Sequence, residues 1–252
     1  MAKLGERIVW AVPALGDLAA TFYGWKFHRR RYGRLYQQTV SEVLERSGWS
    51  KERLLEYQSK QLHHLIRHAV KHVPYYKERL SQLGLSPEDI KTVQDLPKLP
   101  ILEKSQVRED PVQLVDERLN PETLISDRTT GSTGTPIKIF KTSEVLQRHY
   151  AYFDVRCRRA AGIAFGHEPY VMLGIQIVAP PTRTHPPFWC YNYVHQQLYM
   201  SVFHLSPDYL SHYCREIKRL PYNAIMGYPL RCRHLPNTFW IQGEIVFSSE
   251  LQ

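Results

Sequence analysis

The segment Thr129–Pro136, with the sequence TTGSTGTP, constrains the fold and function of this chain more than any other stretch. It combines five hydroxyl side chains with two glycines and a closing proline. Glycine permits the positive-φ backbone in which consecutive N–H groups point into one concavity, and hydroxyl groups add further donors. The same composition is also typical of an ordinary polar surface turn. The glycine spacing excludes both the Gly-x-x-x-x-Gly-Lys-Ser/Thr loop and the Gly-x-Gly-x-x-Gly fingerprint.

The sequences on either side of this segment favour a hairpin. Residues 122–126 are short and β-branched enough for a strand, and residues 137–141 alternate apolar with basic side chains. Such alternation is typical of a half-buried strand. A hairpin holds a glycine-rich loop in a fixed shape, which a flexible linker does not. We therefore interpret the segment as a nucleoside triphosphate site formed by Thr129, Thr130, Gly131, Ser132, Thr133, Gly134 and Thr135, with Lys138 nearby.

Residues 1–115 are predicted to be mostly helical, and the clearest helix runs from Ser50 to Val73. Its apolar residues recur every three or four positions, Ser50 can cap its start and Pro74 ends it. From residue 116 onward, strands and helices alternate, which predicts an α/β domain. Further helices are expected at 142–161 and from Ser206, and strands at 170–173, 197–202 and 224–226.

The charge balance leaves several partners open. The chain carries 33 Lys and Arg against 24 Asp and Glu, a net charge of +9. This excess fits phosphate-bearing ligands, nucleic acid or an anionic membrane surface, and it does not choose among them. The basic run His28–Arg34 is interpreted as a solvated face, and binding of nucleic acid or a membrane surface through it is a less favoured alternative. The apolar run Ile8–Leu15 is too short to span a membrane.

The cysteine and histidine spacings predict no metal site. The four cysteines form no Cys-x-x-Cys pair and are too sparse for a disulfide framework, so a reducing cytoplasm is the expected location. His64 and His68 have the i, i+4 spacing of a ligand pair. No acidic or cysteine third ligand is expected nearby, so they are interpreted as partly exposed helix residues.

The loop and the residues Ile137–Ile139 resemble the phosphate loop of adenylate-forming enzymes, in particular the phenylacetate–coenzyme A ligases and their capsule-biosynthesis-type relatives. Other segments are similar in order and spacing between about residue 15 and residue 229. They are His72–Tyr76, Pro186–Trp189, Tyr191–Tyr193, Ser201, His204–Pro207 and Gly227–Pro229. The loop is the most diagnostic of these segments.

This resemblance implies an ATP-dependent carboxylate ligase that uses Mg²⁺ and passes the acyl group to coenzyme A or another acceptor. It implies that the loop holds the β- and γ-phosphates, that a substrate pocket lies near Gly227, Tyr228 and Pro229, and that Ser248, Ser249 and Glu250 lie against adenine. The lysine of the commoner family pattern directly follows the proline, whereas Ile137 intervenes before Lys138. In an alternating strand that shift turns the side chain to the other face. No catalytic residue is assigned.

The resemblance also implies that parts of the family pattern are absent. The Tyr-Gly-x-x-Glu segment, the aspartate for the ribose and the mobile C-terminal domain do not occur before Gln252, and residues 229–245 lack the longer helical connection of the family. We therefore expect an incomplete α/β protein, with a helical region at 1–115 and part of the large domain, a mixed sheet with flanking helices, at 116–252. Weak or absent turnover is expected for this portion alone. A non-enzymatic nucleotide-binding protein or a degenerate remnant is the alternative.

Overall fold

The computed structural model describes residues 12–129, 136–159, 162–163, 170–174, 178–179, 182–219 and 224–227. These residues fall into two compact units. One unit joins the chain up to Val40 to the chain from Gln147 onward, and the other runs from Ser41 to Leu146. Helices and a mixed sheet make up the described residues, which confirms the predicted fold class.

The described helices and strands follow one another in this order. The helices are α1 (Pro13–Arg31), α2 (Arg34–Arg46), α3 (Lys51–His72), α4 (Pro74–Gln82), α5 (Lys104–Glu109), α6 (Ser143–Phe153) and α7 (Pro207–Arg219). The strands are β1 (Ile125–Arg128), β2 (Lys138–Lys141), β3 (Tyr170–Leu173), β4 (Trp189–Asn192), β5 (Gln197–Met200) and β6 (Ile225–Gly227). Short 3-10 turns connect the elements between α4 and β1.

Helix α3 is organised by the residues that the sequence singles out. The Ser50 side chain accepts a hydrogen bond of 3.3 Å from the Arg53 N–H, and Val73 ends the helix immediately before Pro74. The inward face of α3 places Ile66 against Leu80 of α4 and Ile90, and these three side chains form the buried core of the unit 41–146. The predicted helix at 50–73 is therefore confirmed.

The predicted helix at 142–161 is interrupted. Regular α-helix ends at Phe153, and Asp154–Arg158 form a π-helical turn. The Arg159 N–H bonds the Asp154 carbonyl at 2.7 Å, which is the i→i+5 pattern of that turn. The turn carries two charged residues that are almost fully buried, Asp154 and Arg158, and their carboxylate and guanidinium lie 2.6 Å apart.

A four-stranded sheet with the order β4-β5-β3-β6 forms the centre of the unit that joins the chain up to Val40 to the chain from Gln147 onward. Strands β5, β3 and β6 are parallel, whereas β4 pairs antiparallel with β5. Helix α7 covers one face through Tyr213 and Ile217, which pack with alternate residues of β3 and β5. Phe153 and Ile163 cover the other face of the sheet, next to Met226 of β6. Both faces of the central parallel strands β5 and β3 are therefore largely buried, as parallel strands require.

Helix α1 packs along the outer edge of β4. The Asp17 carboxylate accepts the Tyr191 N–H at 2.7 Å, and the Thr21 hydroxyl donates to the Tyr191 carbonyl at 3.5 Å. The approach is close because Gly24 faces β4, where an added methyl group would collide with the Asn192 side chain. Side chains of α1 thus take the place of a further strand at this edge.

Candidate functional site

The predicted strand–loop–strand hairpin is present. Strand β1 pairs antiparallel with β2, with Arg128 opposite Lys138. One further pair closes the stem next to the loop, because the Thr129 N–H bonds the Ile137 carbonyl at 3.0 Å and the Ile137 N–H bonds the Thr129 hydroxyl oxygen at 3.0 Å. The stem therefore holds Thr129 and Ile137 together on either side of residues 130–136.

Strand β1 begins at Ile125, so the predicted start near residue 122 is wrong. Pro121–Thr123 form a 3-10 turn instead. The Asn120 side chain accepts the Glu122 N–H at 3.0 Å and so caps this turn. An asparagine before a proline is a turn signal that outweighs the β-branched side chains that follow.

The stem is basic at the end where the loop begins. Arg128 and Lys138 are exposed and stand opposite each other in the register. The Lys138 ammonium lies 4.6 Å from the centre of the Phe140 ring, which is on the same side of the strand. At the far end of the stem the Lys141 ammonium is 3.0 Å from the Asp127 carboxylate. Among the described residues, Arg128 and Lys138 thus concentrate positive charge at the end of the stem where the loop begins. Arg128 was missed by sequence reasoning, because only the register places it opposite Lys138.

A second cluster lies at the carboxyl ends of the parallel strands. The Ser201 hydroxyl, just beyond β5, is 2.9 Å from Nδ1 of His204, and the Ser201 carbonyl accepts the Tyr213 hydroxyl at 2.6 Å. Phe188 stacks on the His204 ring with centres 4.3 Å apart. Gly227 ends β6 in register with Leu173 of β3. Ligands of open α/β sheets bind outside this edge, so Ser201, His204 and Gly227 lie where such a pocket is expected.

The aromatic residues of β4 lie at a different place. Trp189, Tyr191 and the nearby Tyr193 line an open groove of about 530 Å³, together with Asp17 and Arg219. Strands β5 and β3 separate β4 from β6, a distance of about 14 Å at the usual strand spacing. The family resemblance singled out an aromatic segment on β4 and a glycine segment that begins at Gly227 of β6. These two segments therefore lie at opposite edges of the described sheet.

An acidic residue, Asp116, lies beside His68 of α3, although the two are remote in sequence. The chain returns along α3 through a bond from the Glu117 N–H to the His72 carbonyl at 2.8 Å. This places the Asp116 carboxylate 3.2 Å from Nε2 of His68. The sequence-based statement that no acidic residue stands near these histidines is wrong. The Arg118 guanidinium bonds Asp116 and holds the pKa of that carboxyl well below its usual range. Within the described ranges, no group of three or more His, Cys, Asp or Glu is arranged to hold a metal ion.

Sequence reasoning also missed a buried polar cluster around Asp154 and Arg158. The Tyr36 hydroxyl donates to the Asp154 carboxylate at 2.6 Å, and the Arg158 guanidinium donates to the Tyr32 hydroxyl at 3.2 Å. Burial raises the pKa of Asp154, against the opposing effects of Arg158 and Tyr36. Each charge is therefore compensated by a partner. The i, i+4 spacing of Asp154 and Arg158 was the one signal in the sequence.

Several predicted site residues lie outside the described residues. They are Thr130, Gly131, Ser132, Thr133, Gly134, Thr135, Tyr228, Pro229, Ser248, Ser249 and Glu250.

Comparison with known proteins identifies relatives that match the resemblance. Protein CapK of Staphylococcus aureus is 24% identical over 212 residues, which are 84% of this chain and 45% of CapK. Phenylacetate–coenzyme A ligase of Pseudomonas putida is 27% identical over 125 residues, which are 50% of this chain and 28% of the ligase. The chain is related to the phenylacetate–CoA ligase-like family of adenylate-forming proteins. This confirms the family resemblance of the loop and its companion segments.

The fold agrees with this family. A solved structure of 2-hydroxyisobutyryl-CoA ligase, in complex with 2-HIB-AMP and CoA, superposes with a TM-score of 0.52 at 16% identity. The superposition covers 73% of this chain and 39% of that ligase. No protein-family model matches the chain. The chain spans less than half the length of these relatives, namely 45% of CapK and 28% of the Pseudomonas ligase.

Proposed function

We propose that this chain binds ATP through the β1–β2 hairpin and takes part in the ATP-dependent activation of a carboxylic acid. The observation that carries this proposal is the closed stem, in which Thr129 and Ile137 bond across the start of the loop while Arg128 and Lys138 flank it. The relationship to CoA ligases supports the same assignment. Because the chain spans less than half of those relatives, the complete reaction, its acid and its acceptor are proposals.

The donor set fits a polyphosphate. Residues 129–141 contain hydroxyl, amide and ammonium groups and no carboxylate. The Thr129 oxygen accepts the Ile137 N–H, which leaves its hydroxyl hydrogen free to donate toward an anion. Thr130, Ser132, Thr133 and Thr135 add hydroxyl donors, and consecutive N–H groups of a glycine-rich turn bind phosphate oxygens. Arg128 and Lys138 provide positive charge at the point where the β- and γ-phosphates are expected.

The remaining assignments follow from the family. Bound ATP with Mg²⁺ supplies the activated adenylyl group that a carboxylate attacks. We assign Gly227, Tyr228 and Pro229 to the pocket for the carboxylic acid, and Ser248, Ser249 and Glu250 to the adenine side. We assign coenzyme A or another nucleophile as the acceptor. The protein's contribution is to position the reactants and to stabilise the negative charge that gathers at phosphorus.

Titration of the chain with MgATP tests the binding step. We expect a rise in melting temperature with ATP and a dissociation constant about 30-fold higher for the double variant Arg128→Ala/Lys138→Ala, since each of the two lost contacts is worth about 1 kcal/mol. Lys141→Ala is the matched control, because Lys141 lies on the same strand and pairs with Asp127. Equal weakening by the control, or no response to millimolar ATP, would refute the site.

An exchange assay between pyrophosphate and ATP, with a panel of carboxylic acids, tests the chemistry separately. We expect weak or absent exchange for the 252 residues alone. Robust exchange would show that these residues suffice for activation. Binding of ATP without exchange in any longer form of the protein would favour the alternative, a nucleotide-binding protein that is not an enzyme.

A further inference from the structure

The groove beside β4 has an aromatic wall. Trp189 and Tyr191 are alternate residues of β4 and therefore lie on the same face of the sheet, whereas Cys190 and Asn192 are buried on the other face. Tyr193 follows the strand, and its ring packs edge-on against that of Tyr191 with centres 4.5 Å apart. The Tyr193 side chain is 62% exposed. Three aromatic rings thus line this groove of about 530 Å³, and they remain accessible to a ligand.

The charged residues of the groove are two carboxylates and one guanidinium. Asp17 lies near the start of α1, whereas Glu216 and Arg219 lie near the end of α7. The Glu216 side chain is only 15% exposed, and the Arg219 guanidinium is 3.5 Å from its carboxylate. Arg219 itself is 71% exposed, so much of its charge is screened by solvent. The lining of the groove therefore has an excess of negative charge, although the whole chain carries +9.

The Asp17 carboxylate is only partly compensated. It accepts the Tyr191 N–H at 2.7 Å. Burial raises the pKa of Asp17, against the opposing effects of this hydrogen bond and of Arg219. A further positive charge in the groove would stabilise the ionised carboxylate.

We propose that this groove binds a small organic cation, namely an alkylammonium or quaternary ammonium compound. Aromatic rings attract such cations through the negative faces of their π-systems, and the carboxylates add direct electrostatic attraction. A neutral ligand would cover the carboxylates without compensating their charge, which is unfavourable. The groove also has the volume of an ordinary small-molecule site, roughly 300–1,000 Å³. The inference does not rest on the proposed ATP site, because the described residues that line the groove include none of the β1–β2 hairpin.

Titration with choline, followed by NMR of the tryptophan indole N–H groups, tests the proposal. The variant Trp189→Phe identifies the resonance that reports on the groove. We expect this resonance to shift with a dissociation constant of about 1 mM or lower. The neutral isostere of choline, in which carbon replaces the nitrogen, should bind about tenfold more weakly because it has no charge to interact with the rings and carboxylates. Equal binding of the two compounds, or no shift at tens of millimolar choline, would overturn the proposal.

Matched variants separate the groove from the rest of the surface. Tyr193→Ala should weaken choline binding about 2–30-fold, and Glu216→Gln about fivefold. The controls are Phe203→Ala, at a ring that is 67% exposed, and Asp208→Asn, at an exposed carboxylate of α7. Neither control residue lines the groove, so both variants should keep the parental affinity. Melting curves should show that all four variants are folded. Equal weakening by the controls would mean that choline binds elsewhere and would refute the site.

Discussion

The β1–β2 hairpin and the four-stranded sheet use the same backbone pairing for different purposes. Most hairpin side chains remain exposed, and its short stem is held mainly by backbone bonds and the Asp127–Lys141 pair. Strands β3 and β5 are almost entirely buried and packed on both faces. An isolated two-stranded hairpin is marginally stable in water. The difference indicates that stability resides in the sheet, while the hairpin can adapt to a ligand.

Removal of one charged group from each region is expected to give the largest difference in the free energy of unfolding. Asp154→Asn deprives the buried Arg158 guanidinium of its carboxylate, and we expect a loss of about 3–5 kcal/mol in the free energy of unfolding. Asp127→Asn, in the hairpin, should cost about 0–1 kcal/mol because its ion pair is half exposed. Urea titration followed by circular dichroism measures both. Equal losses would show that the hairpin is as integral to stability as the sheet.

Truncation of one apolar side chain in each region is expected to give the next largest difference. Leu173 is fully buried in β3, so Leu173→Ala should lower the free energy of unfolding by about 2–5 kcal/mol through lost contacts and a cavity. Ile139 of β2 is 41% exposed, and Ile139→Ala should cost under about 1 kcal/mol. Thermal melting of the two variants provides the measurement. A larger loss for Ile139→Ala would mean that the hairpin packs against more of the protein than its exposure indicates.

A pH dependence of the free energy of unfolding should arise from His195 in the sheet unit. Burial, together with His28, Arg31 and Arg158, lowers the pKa of His195 to about 4 from an ordinary value of 6.5. Between these values the unfolded chain binds a proton that the folded chain does not. The free energy of unfolding should therefore fall as the pH drops from about 6.5 to about 4, by roughly 1–3 kcal/mol.

Unfolding at a series of pH values checks this dependence. The variant His195→Gln should flatten the curve in that window. A curve of parental slope for His195→Gln would assign the proton uptake to another group.

The smallest effect on global stability is expected at the closing pair of the hairpin. Thr129→Val removes the oxygen that accepts the Ile137 N–H, and we expect a local loss of about 0.5–1.5 kcal/mol with little change in the global melting temperature. Hydrogen exchange should show faster exchange at Ile137, and Thr129→Ser should restore the parental rate. Unchanged protection in Thr129→Val would indicate that the backbone bond alone closes the stem.

The sequence predicted the features that depend on neighbouring residues. The caps of α3 and the alternation of residues 137–141 are local signals, and the strand at 170–173 was predicted with the bounds that the structure shows. The prediction of the hairpin and the family resemblance depend mainly on one short segment and its flanks.

The features that were missed depend on residues that meet only in three dimensions. Arg128 joins the site through the register of two strands, and Asp116 reaches His68 because the chain folds back along α3. The π-helical turn coincides with the buried ion pair Asp154–Arg158, which periodicity does not report. The separation of the β4 aromatics from Gly227 arises from strand order, which is a property of the topology and not of any segment.

The contact between α1 and β4 blocks one edge of the sheet. Since Asp17 and Thr21 already occupy the outward N–H and carbonyl of Tyr191, no incoming chain can pair with that side without first displacing a helix. Among the described strands, the other edge of the sheet is formed by β6. Helix α1 thus acts as a terminator at the β4 edge.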